Sequence, residues 1–251
     1  MSEEPVLSAT GIVKNYGHVR ALRSASFAAK QGEVTALVGD NGAGKSTLIK
    51  ILAGVVVPDE GTVGIDGQSV SLSGPQDAKR RGIETVYQDL ALAPDLDAAG
   101  NVFLGREVRR LGFLHNHPEM RRRTATAFGE LGVGLVQDMR APVATFSGGQ
   151  KQSVAIARAA MWATKAIIMD EPTAALGVIQ TAKVLDLVKR IRDRGIAVVF
   201  VSHNLPQVLE VADRIEVLRL GARVARFRQG EADVDRLIAA ISGAYTNEVA
   251  L

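Results

Sequence analysis

The chain contains no cysteine and a single tryptophan among its 251 residues. Disulfides and thiolate metal sites are therefore excluded, which is typical of a protein kept in a reducing compartment. Aromatic residues make up only 4% of the sequence, so aliphatic side chains must build the core that an apolar content of 47% allows. No apolar run approaches the ~18 residues that a membrane-spanning helix needs.

The sequence also lacks a large excess of charge of either sign. Thirty basic residues oppose 27 acidic ones, and the net charge of +3 is too small to favour nucleic acid as a partner. The first residues, 1–5, are acidic where a signal peptide would be basic and then apolar. We therefore expect a chain that is soluble by itself.

One segment, residues 39–47, carries the strongest chemical pattern in the sequence. It follows the apolar run Val34–Val38 and precedes a predicted helix over 48–53, which is the strand–loop–helix context of a phosphate-binding loop. Glycines let several backbone N–H groups converge on one anion, and the helix adds the positive end of its dipole. The loop consists of Gly39, Asp40, Asn41, Gly42, Ala43, Gly44, Lys45, Ser46 and Thr47. This pattern predicts a nucleoside triphosphate site, with Lys45 on the β- and γ-phosphates and the Ser46 hydroxyl on magnesium.

Polar residues also follow two later apolar runs. Residues 166–169 are followed by Asp170 and Glu171, and residues 197–201 by Ser202 and His203. An acid delivered by a strand beside a phosphate loop is the Walker B arrangement, in which Asp170 holds magnesium and Glu171 is placed to orient or deprotonate a water. Taken alone, His203 fits a structural role at least as well as a functional one.

A second anion-binding end is predicted where Ser147, Gly148, Gly149 and Gln150 precede a helix, expected over 153–163. Strands are predicted over 7–13 and 25–28, with a polar turn that holds Tyr16. An aromatic ring there offers a face on which adenine could stack, although a half-buried tyrosine at a strand end is the simpler interpretation.

Residues 89–146 have a different sequence pattern, in which no strands are predicted. Helices are expected over 98–109 and 118–131, separated by loops over 91–94 and 112–118. His115 and His117 lie in the second loop, and a solvated loop explains them better than a metal site does. We interpret this region as a helical insertion in an α/β domain.

The order of these motifs resembles that of the ATPase subunits of ABC transporters, over residues 7–227. The resemblance rests on Tyr16, the loop 39–47, Gln88, Ser147, Gly148, Gly149, Gln150, Asp170, Glu171 and His203. The signature that begins at Ser147 is the most specific of these motifs. It implies an α/β fold of the P-loop NTPase type, with a mostly parallel sheet, an N-terminal antiparallel β subdomain and a helical insertion. The implied division of the single domain 1–251 is an α/β core over 5–88 and 147–228, a helical subdomain over 89–146 and a helical tail over 229–251.

The resemblance also implies roles for the matching residues. Tyr16 stacks on adenine, Lys45, Ser46 and Thr47 hold phosphates and magnesium, and Gln88 senses the γ-phosphate and shares the metal with Ser46 and Asp170. Glu171 is the general base, and His203 contacts the γ-phosphate. ATP and Mg²⁺ are the implied cofactors, bound in a head-to-tail homodimer between the phosphate loop of one subunit and Ser147, Gly148, Gly149 and Gln150 of the other.

Within the family, the stretches 88–94, 101–107 and 202–205 resemble the ATPases of simple-sugar importers of the ribose, xylose and fructose type. The implied partners are integral membrane permease subunits and, indirectly, a solute-binding protein, with the ATPase on the cytoplasmic side of the inner membrane. Three positions depart from the family pattern: Phe146 replaces a leucine, Gly100 an acid, and Gly177 the aspartate of the D-loop.

Three alternatives stay open at this stage. One is an ABC ATPase that serves amino-acid or lipid transport. Another is a non-transport ABC protein that acts on ribosomes or DNA, which the single set of motifs and the lack of a long coiled-coil insertion disfavour. The last is a nucleotide-binding scaffold without hydrolysis, which Glu171 and His203 disfavour.

Overall fold

The computed structural model describes residues 4–110, 113–133 and 138–247. Its strands are β1 Leu7–Tyr16, β2 Val19–Ala29, β3 Val34–Val38, β4 Glu60–Ile65, β5 Gln68–Val70, β6 Ile83–Val86, β7 Arg109–Arg110, β8 Leu114–His115, β9 Ala166–Asp170, β10 Ala197–Val201, β11 Arg214–Arg219 and β12 Ala222–Arg228. Its α-helices are α1 Lys45–Leu52, α2 Pro75–Arg80, α3 Ala98–Val102, α4 His117–Glu130, α5 Gly148–Trp162, α6 Val178–Asp193, α7 Leu205–Val211 and α8 Val234–Ser242. A 3₁₀ turn covers Val143–Thr145.

The centre of the molecule is a six-stranded sheet with the order β12-β11-β3-β10-β9-β6. All neighbouring strands are parallel except β12, which pairs antiparallel with β11. Every residue of β3 and β10 is buried, because both faces of a parallel sheet are covered. This explains why these strands are continuous apolar runs in the sequence.

Two apolar cores lie on opposite faces of this sheet. On β10, Val198 and Phe200 belong to the core formed with α5, α6 and the helical residues after 89, while Val199 and Val201 belong to the core formed with α1 and the N-terminal strands. The alternation follows from the period of two along a strand. The sheet is thus a middle layer, which is the predicted α/β architecture.

The N-terminal strands form a separate antiparallel sheet with the order β2-β1-β4-β5. A hairpin joins β4 to β5, with Ile65 opposite Gln68. The predicted strands over 7–13 and 25–28 are too short: β1 continues to Tyr16 and β2 begins at Val19. Register shifts after Ala9 and Lys14 let the pair continue through residues whose pattern does not alternate regularly.

The prediction that residues 89–146 lack strands is wrong. The helix expected over 98–109 ends at Val102, and β7 and β8 then pair as a short hairpin that contains His115. Gly105 stops the helix because its φ of +76° lies in the left-handed region, and its N–H donates to the Glu107 carboxylate instead. The helix expected over 118–131 is confirmed as α4.

The predicted start of the helix after Ser147 is also wrong, by five residues. It begins at Gly148, so that the glycines lie inside its first turn. Ser147 and Gln150 form a capping box that fixes this start, since each side chain bonds to the other residue's backbone. Among the described residues, none of the helices has the length and hydropathy that crossing a membrane requires.

Candidate functional site

The motif residues meet at one edge of the central sheet. β3, β10, β9 and β6 are neighbours and parallel, so their carboxyl ends point the same way. Gly39 follows β3, Asp170 is the last residue of β9, and His203 and Gln88 each follow the ends of β10 and β6 by two residues. This edge is where an open α/β sheet binds ligands.

Glycine is a steric requirement at two positions of the phosphate loop. A Cβ on Gly39 would lie 2.2 Å from the Leu218 carbonyl oxygen, and one on Gly44 would lie 2.8 Å from the Ala21 carbonyl oxygen. Gly44 has φ +102° and directly precedes α1. The loop is therefore enclosed by β2 and by the end of β11, which hold its backbone against the start of the helix.

Lys45 folds over the loop. Its Nζ donates to the carbonyl oxygens of Gly39 and Asp40 at 2.8 and 3.0 Å. Burial lowers the pKa of Lys45, and the nearby carboxylates of Glu171, Asp40 and Asp170 oppose that shift. The ammonium group thus lies between the loop and the acids of β9, within their electrostatic field.

Asp170 ends β9 in a half-buried position. Burial raises its pKa, the neighbouring charge of Glu171 raises it further, and Lys45 and Lys50 oppose the shift. A desolvated carboxylate beside a phosphate loop is suited to a hard cation. The predicted donors Ser46, Gln88 and Asp170 all offer oxygen, which is the ligand type that Mg²⁺ prefers.

Glu171 and His203 are in direct contact. The Glu171 Oε1 lies 2.9 Å from the His203 Nδ1. The Glu171 backbone has φ +51°, and its N–H donates to the Val201 carbonyl of β10. Glu171 is thereby turned out of the strand direction towards the loop that follows β10, so the structure brings together two residues that lie 32 positions apart in the sequence.

Two predicted parts of the site lie outside this cluster among the described residues. The Ser147 and Gln150 side chains bond within the start of α5. Tyr16 ends β1 as an exposed side chain, with the Lys14 Nζ 5.9 Å from its ring centroid. Neither the Ser147 nor the Tyr16 side chain is among the described contacts of Lys45. For Ser147 this separation is expected if a second subunit completes the site.

The structure adds contacts that the sequence did not suggest. Gln180 packs against the signature, because a Cβ on Gly149 would lie 2.6 Å from its Cγ. Arg158 donates to the carbonyls of Leu90 and Ala91, just after Gln88. Thr173 donates to Gln207 at 2.6 Å. These partners have no motif of their own, so no sequence pattern could have paired them.

A parallel sheet with a glycine loop after one strand and paired acids after another defines the class of P-loop nucleoside triphosphatases. The sequence model of the ABC transporter family matches residues 22–174. The fructose import ATP-binding protein FrcA of Rhizobium meliloti is 45% identical over 97% of this chain and 96% of its own length. The xylose/arabinose import ATP-binding protein XylG of Sulfolobus acidocaldarius is 44% identical, over 92% of each chain.

Solved structures agree with these sequence comparisons. A dimeric ATP-binding cassette in a post-hydrolysis state with ADP and Pi is 27% identical and superposes with a TM-score of 0.73, over 89% of this chain and 98% of that one. The chain belongs to the ABC transporter family and is one of its ATPases. The resemblance drawn from the motifs is thereby confirmed, as is the fold that it implied.

Proposed function

We propose that this chain hydrolyses ATP to drive import of a monosaccharide through a membrane transporter. The observation that carries the chemical part is the contact of Glu171 with His203 at the sheet edge that also holds Asp170 and the phosphate loop. The substrate class rests on the two import proteins for fructose and for xylose/arabinose, which match nearly the whole chain.

Nucleotide binding is proposed for the loop residues 39–47. Their backbone N–H groups and the start of α1 would surround the β- and γ-phosphates, and Lys45 would exchange its bonds to the Gly39 and Asp40 carbonyls for phosphate oxygens. The phosphate oxygens are anionic whereas the two carbonyls are neutral, so the Lys45 ammonium is attracted more strongly to phosphate, which favours the exchange. Tyr16 would stack on adenine, its exposed ring being available for that contact.

Hydrolysis is proposed to proceed by attack of a water oxygen on the γ-phosphorus, while the bond from that phosphorus to the β–γ bridging oxygen breaks and ADP leaves. Glu171 takes a proton from that water as general base, and His203 contacts the γ-phosphate and holds the carboxylate of Glu171 through its Nδ1. Ser46, Asp170 and Gln88 would hold Mg²⁺, which supplies positive charge to the phosphate oxygens. Gln88 also senses the γ-phosphate from the end of β6.

A homodimer is proposed as the hydrolysing form. Ser147, Gly148, Gly149 and Gln150 would reach the nucleotide of the second subunit with the N-terminus of α5, whose start is fixed at Gly148 by the capping box. The dimeric cassette with ADP and Pi supports this arrangement. We further propose the division into an α/β core over 5–88 and 147–228, a helical subdomain over 89–146 and a tail over 229–251.

The proposed assembly places the dimer on the cytoplasmic side of the inner membrane, bound to integral membrane permease subunits that receive sugar from a solute-binding protein. Transport by the reconstituted complex tests the substrate class. Fructose, xylose and ribose are each offered on the side of the vesicle membrane opposite the ATPase. ATP is supplied in the compartment that holds the ATPase. Uptake of one of them above the rate without ATP is the expected result, and uptake of amino acids alone would overturn the sugar assignment.

The replacement Glu171→Gln tests the proposed base. We expect ATP binding to persist and hydrolysis to slow by about 10²–10⁴-fold, the usual contribution of a positioned general base. The matched control is Glu210→Gln, which alters an exposed carboxylate paired with Lys189 on the surface. Hydrolysis by Glu171→Gln at the parental rate would show that another group takes the proton.

A further inference from the structure

Glu171 and His203 lie on separate loops beyond the end of the sheet. The last paired residues are Asp170 and Val201, which face each other across β9 and β10. The His203 side chain is 74% exposed, so packing around the ring does little to fix it. The two loops therefore need another connection if the 2.9 Å contact between Glu171 and His203 is to persist.

Such a connection exists between the same two loops. The Thr173 Oγ1 donates to the Gln207 Oε1 at 2.6 Å, joining the loop after β9 to the start of α7. Thr173 is 7% exposed, so its hydroxyl is largely shielded from competing water. A hydrogen bond in such a place is more effective than one at the surface, because the local dielectric constant is low.

On the first loop, Thr173 is rigidly tied to Glu171. The N–H of Ala174 donates to the Glu171 carbonyl at 3.1 Å, and the N–H of Leu176 donates to the Thr173 carbonyl at 3.3 Å. The first of these turns spans both Glu171 and Thr173 and restricts the backbone between them. A displacement of Thr173 is therefore transmitted to the Glu171 carboxylate.

On the second loop, a chain of side-chain bonds joins Gln207 to the residues around His203. The N–H of Asn204 donates to the Ser202 Oγ at 3.1 Å, and the N–H of Gln207 donates to the Asn204 Oδ1 at 3.2 Å. Ser202 is buried at the end of β10. His203 is thus held between two residues whose positions depend on this chain.

We propose that Thr173 and Gln207 are positioning residues that keep the Glu171 carboxylate in register with His203. Neither is assigned a contact with the nucleotide; they act by joining the two loops. The inference rests on the proposed roles of Glu171 and His203. A reacting group displaced by about 1 Å can lose as much as 10²-fold in rate, so a single hydrogen bond at this place can control turnover.

The test compares replacements that remove the bond with replacements that keep it, in the assembled transporter. Thr173→Val and Gln207→Leu remove the donor and the acceptor at similar volume, whereas Thr173→Ser and Gln207→Glu retain them. We expect the first two to lower kcat for ATP about 10- to 100-fold with an unchanged KM, and the second two to stay near the parental kcat. Thr126→Val, which removes an exposed hydroxyl bond within α4, is the control for loss of a threonine hydroxyl.

The double variant Thr173→Val/Gln207→Leu decides whether the two residues act as a pair. If they do, its kcat falls no further than that of either single variant, because the second change removes an already broken bond. Independent effects that multiply, or a parental kcat in both single variants, would overturn the proposal. If Thr173→Val does not fold, Gln207→Leu and Gln207→Glu still test the proposal: a parental kcat in Gln207→Leu would overturn it, and a lowered kcat that Gln207→Glu restores would support it.

Glu171→Gln measured in parallel separates this inference from the proposed function. Slow hydrolysis by Glu171→Gln together with parental rates in the Thr173 and Gln207 variants would reject the positioning pair alone. A parental rate in Glu171→Gln would reject the catalytic assignment on which the pair depends. A fall in kcat with matched melting temperatures, rescued by Thr173→Ser and Gln207→Glu, supports both.

Discussion

Asn101 offers the sharpest test of how the region after Gln88 is held. Its side chain is fully buried in α3 and makes four hydrogen bonds to the loop before that helix. The Oδ1 accepts from the Ala93 N–H at 2.7 Å, and the two hydrogens of the Nδ2 are shared among the carbonyls of Ala93, Leu96 and Asp97, whose oxygens lie 3.0, 3.3 and 3.1 Å from the nitrogen. One amide group thus folds the segment from 93 to 97 onto the helix.

The cost of Asn101→Ala follows from these contacts. The bonds to Ala93 contribute about 1 kcal/mol each, and a buried backbone group left without a partner adds a further ~1–3 kcal/mol. Leu96 is exposed, and Ala93 and Asp97 are only partly buried, so water can replace part of the loss at these carbonyls. We therefore expect the free energy of unfolding to fall by about 3 kcal/mol, which for a chain of this size lowers the melting temperature by roughly 6–12 °C.

Asn101→Asp sharpens the prediction. It keeps one acceptor for the Ala93 N–H. Its second carboxylate oxygen replaces the amide nitrogen and faces three carbonyl oxygens, which cannot donate a hydrogen bond to it, and the change also buries a negative charge. It should therefore destabilise the protein at least as much as Asn101→Ala. The control is Asn116→Ala, which removes the single cap bond of α4 at 3.2 Å and should cost ~1 kcal/mol.

Circular dichroism during thermal and urea unfolding measures these differences, with the urea m-value checking that the transition stays two-state. A loss below 1 kcal/mol for Asn101→Ala, or parental stability for Asn101→Asp, would refute the argument. Either result would mean that the four bonds are replaced by water as the loop relaxes.

Three further predictions concern the proposed site. Gly177→Asp should strengthen ATP-dependent dimerisation and the cooperativity of hydrolysis. Gly177 is an extended N-cap (φ −72°) without a side-chain cap bond, and a new Cβ 2.8 Å from the Gln180 Oε1 displaces only the end of a flexible side chain. Identical behaviour of Gly177→Ala would exclude a role for the carboxylate. Asp170→Asn should weaken Mg²⁺-dependent ATP binding and raise the melting temperature at pH 8. Because the pKa of Asp170 is raised in the folded state, the folded protein keeps this proton to higher pH than the unfolded chain does. At pH 8 the ionised Asp170 carboxylate therefore lowers the stability, and asparagine removes that cost. A lower melting temperature would contradict that reasoning. Lys45→Ala and Ser147→Arg should each be inactive alone but recover part of the ATPase activity when mixed, since one mixed site is intact; no recovery in proven mixed dimers would argue against a shared site.

Much of this protein could be predicted from its sequence, because its motifs are local. The phosphate loop was recognisable from residues 39–47 and their flanking strand and helix, and the buried strands β3, β9 and β10 were found within a residue of their ends. The signature at Ser147 identified the family, which the comparisons then confirmed. These features depend on neighbours in the chain and on whether a strand is covered on both faces, which hydropathy reports directly.

The tertiary structure decided what depends on distant contacts. The end of α3 at Val102 and the hairpin that follows depend on how Gly105 and Glu107 fold back, which helix propensity does not encode. The need for glycine at Gly39 comes from the Leu218 carbonyl, 179 positions later in the chain. The pairing of Thr173 with Gln207 likewise arises only because β10 lies beside β9 in the sheet. Strand order brings these residues together, and strand order is set by the packing of the whole domain, so no local stretch of sequence contains it.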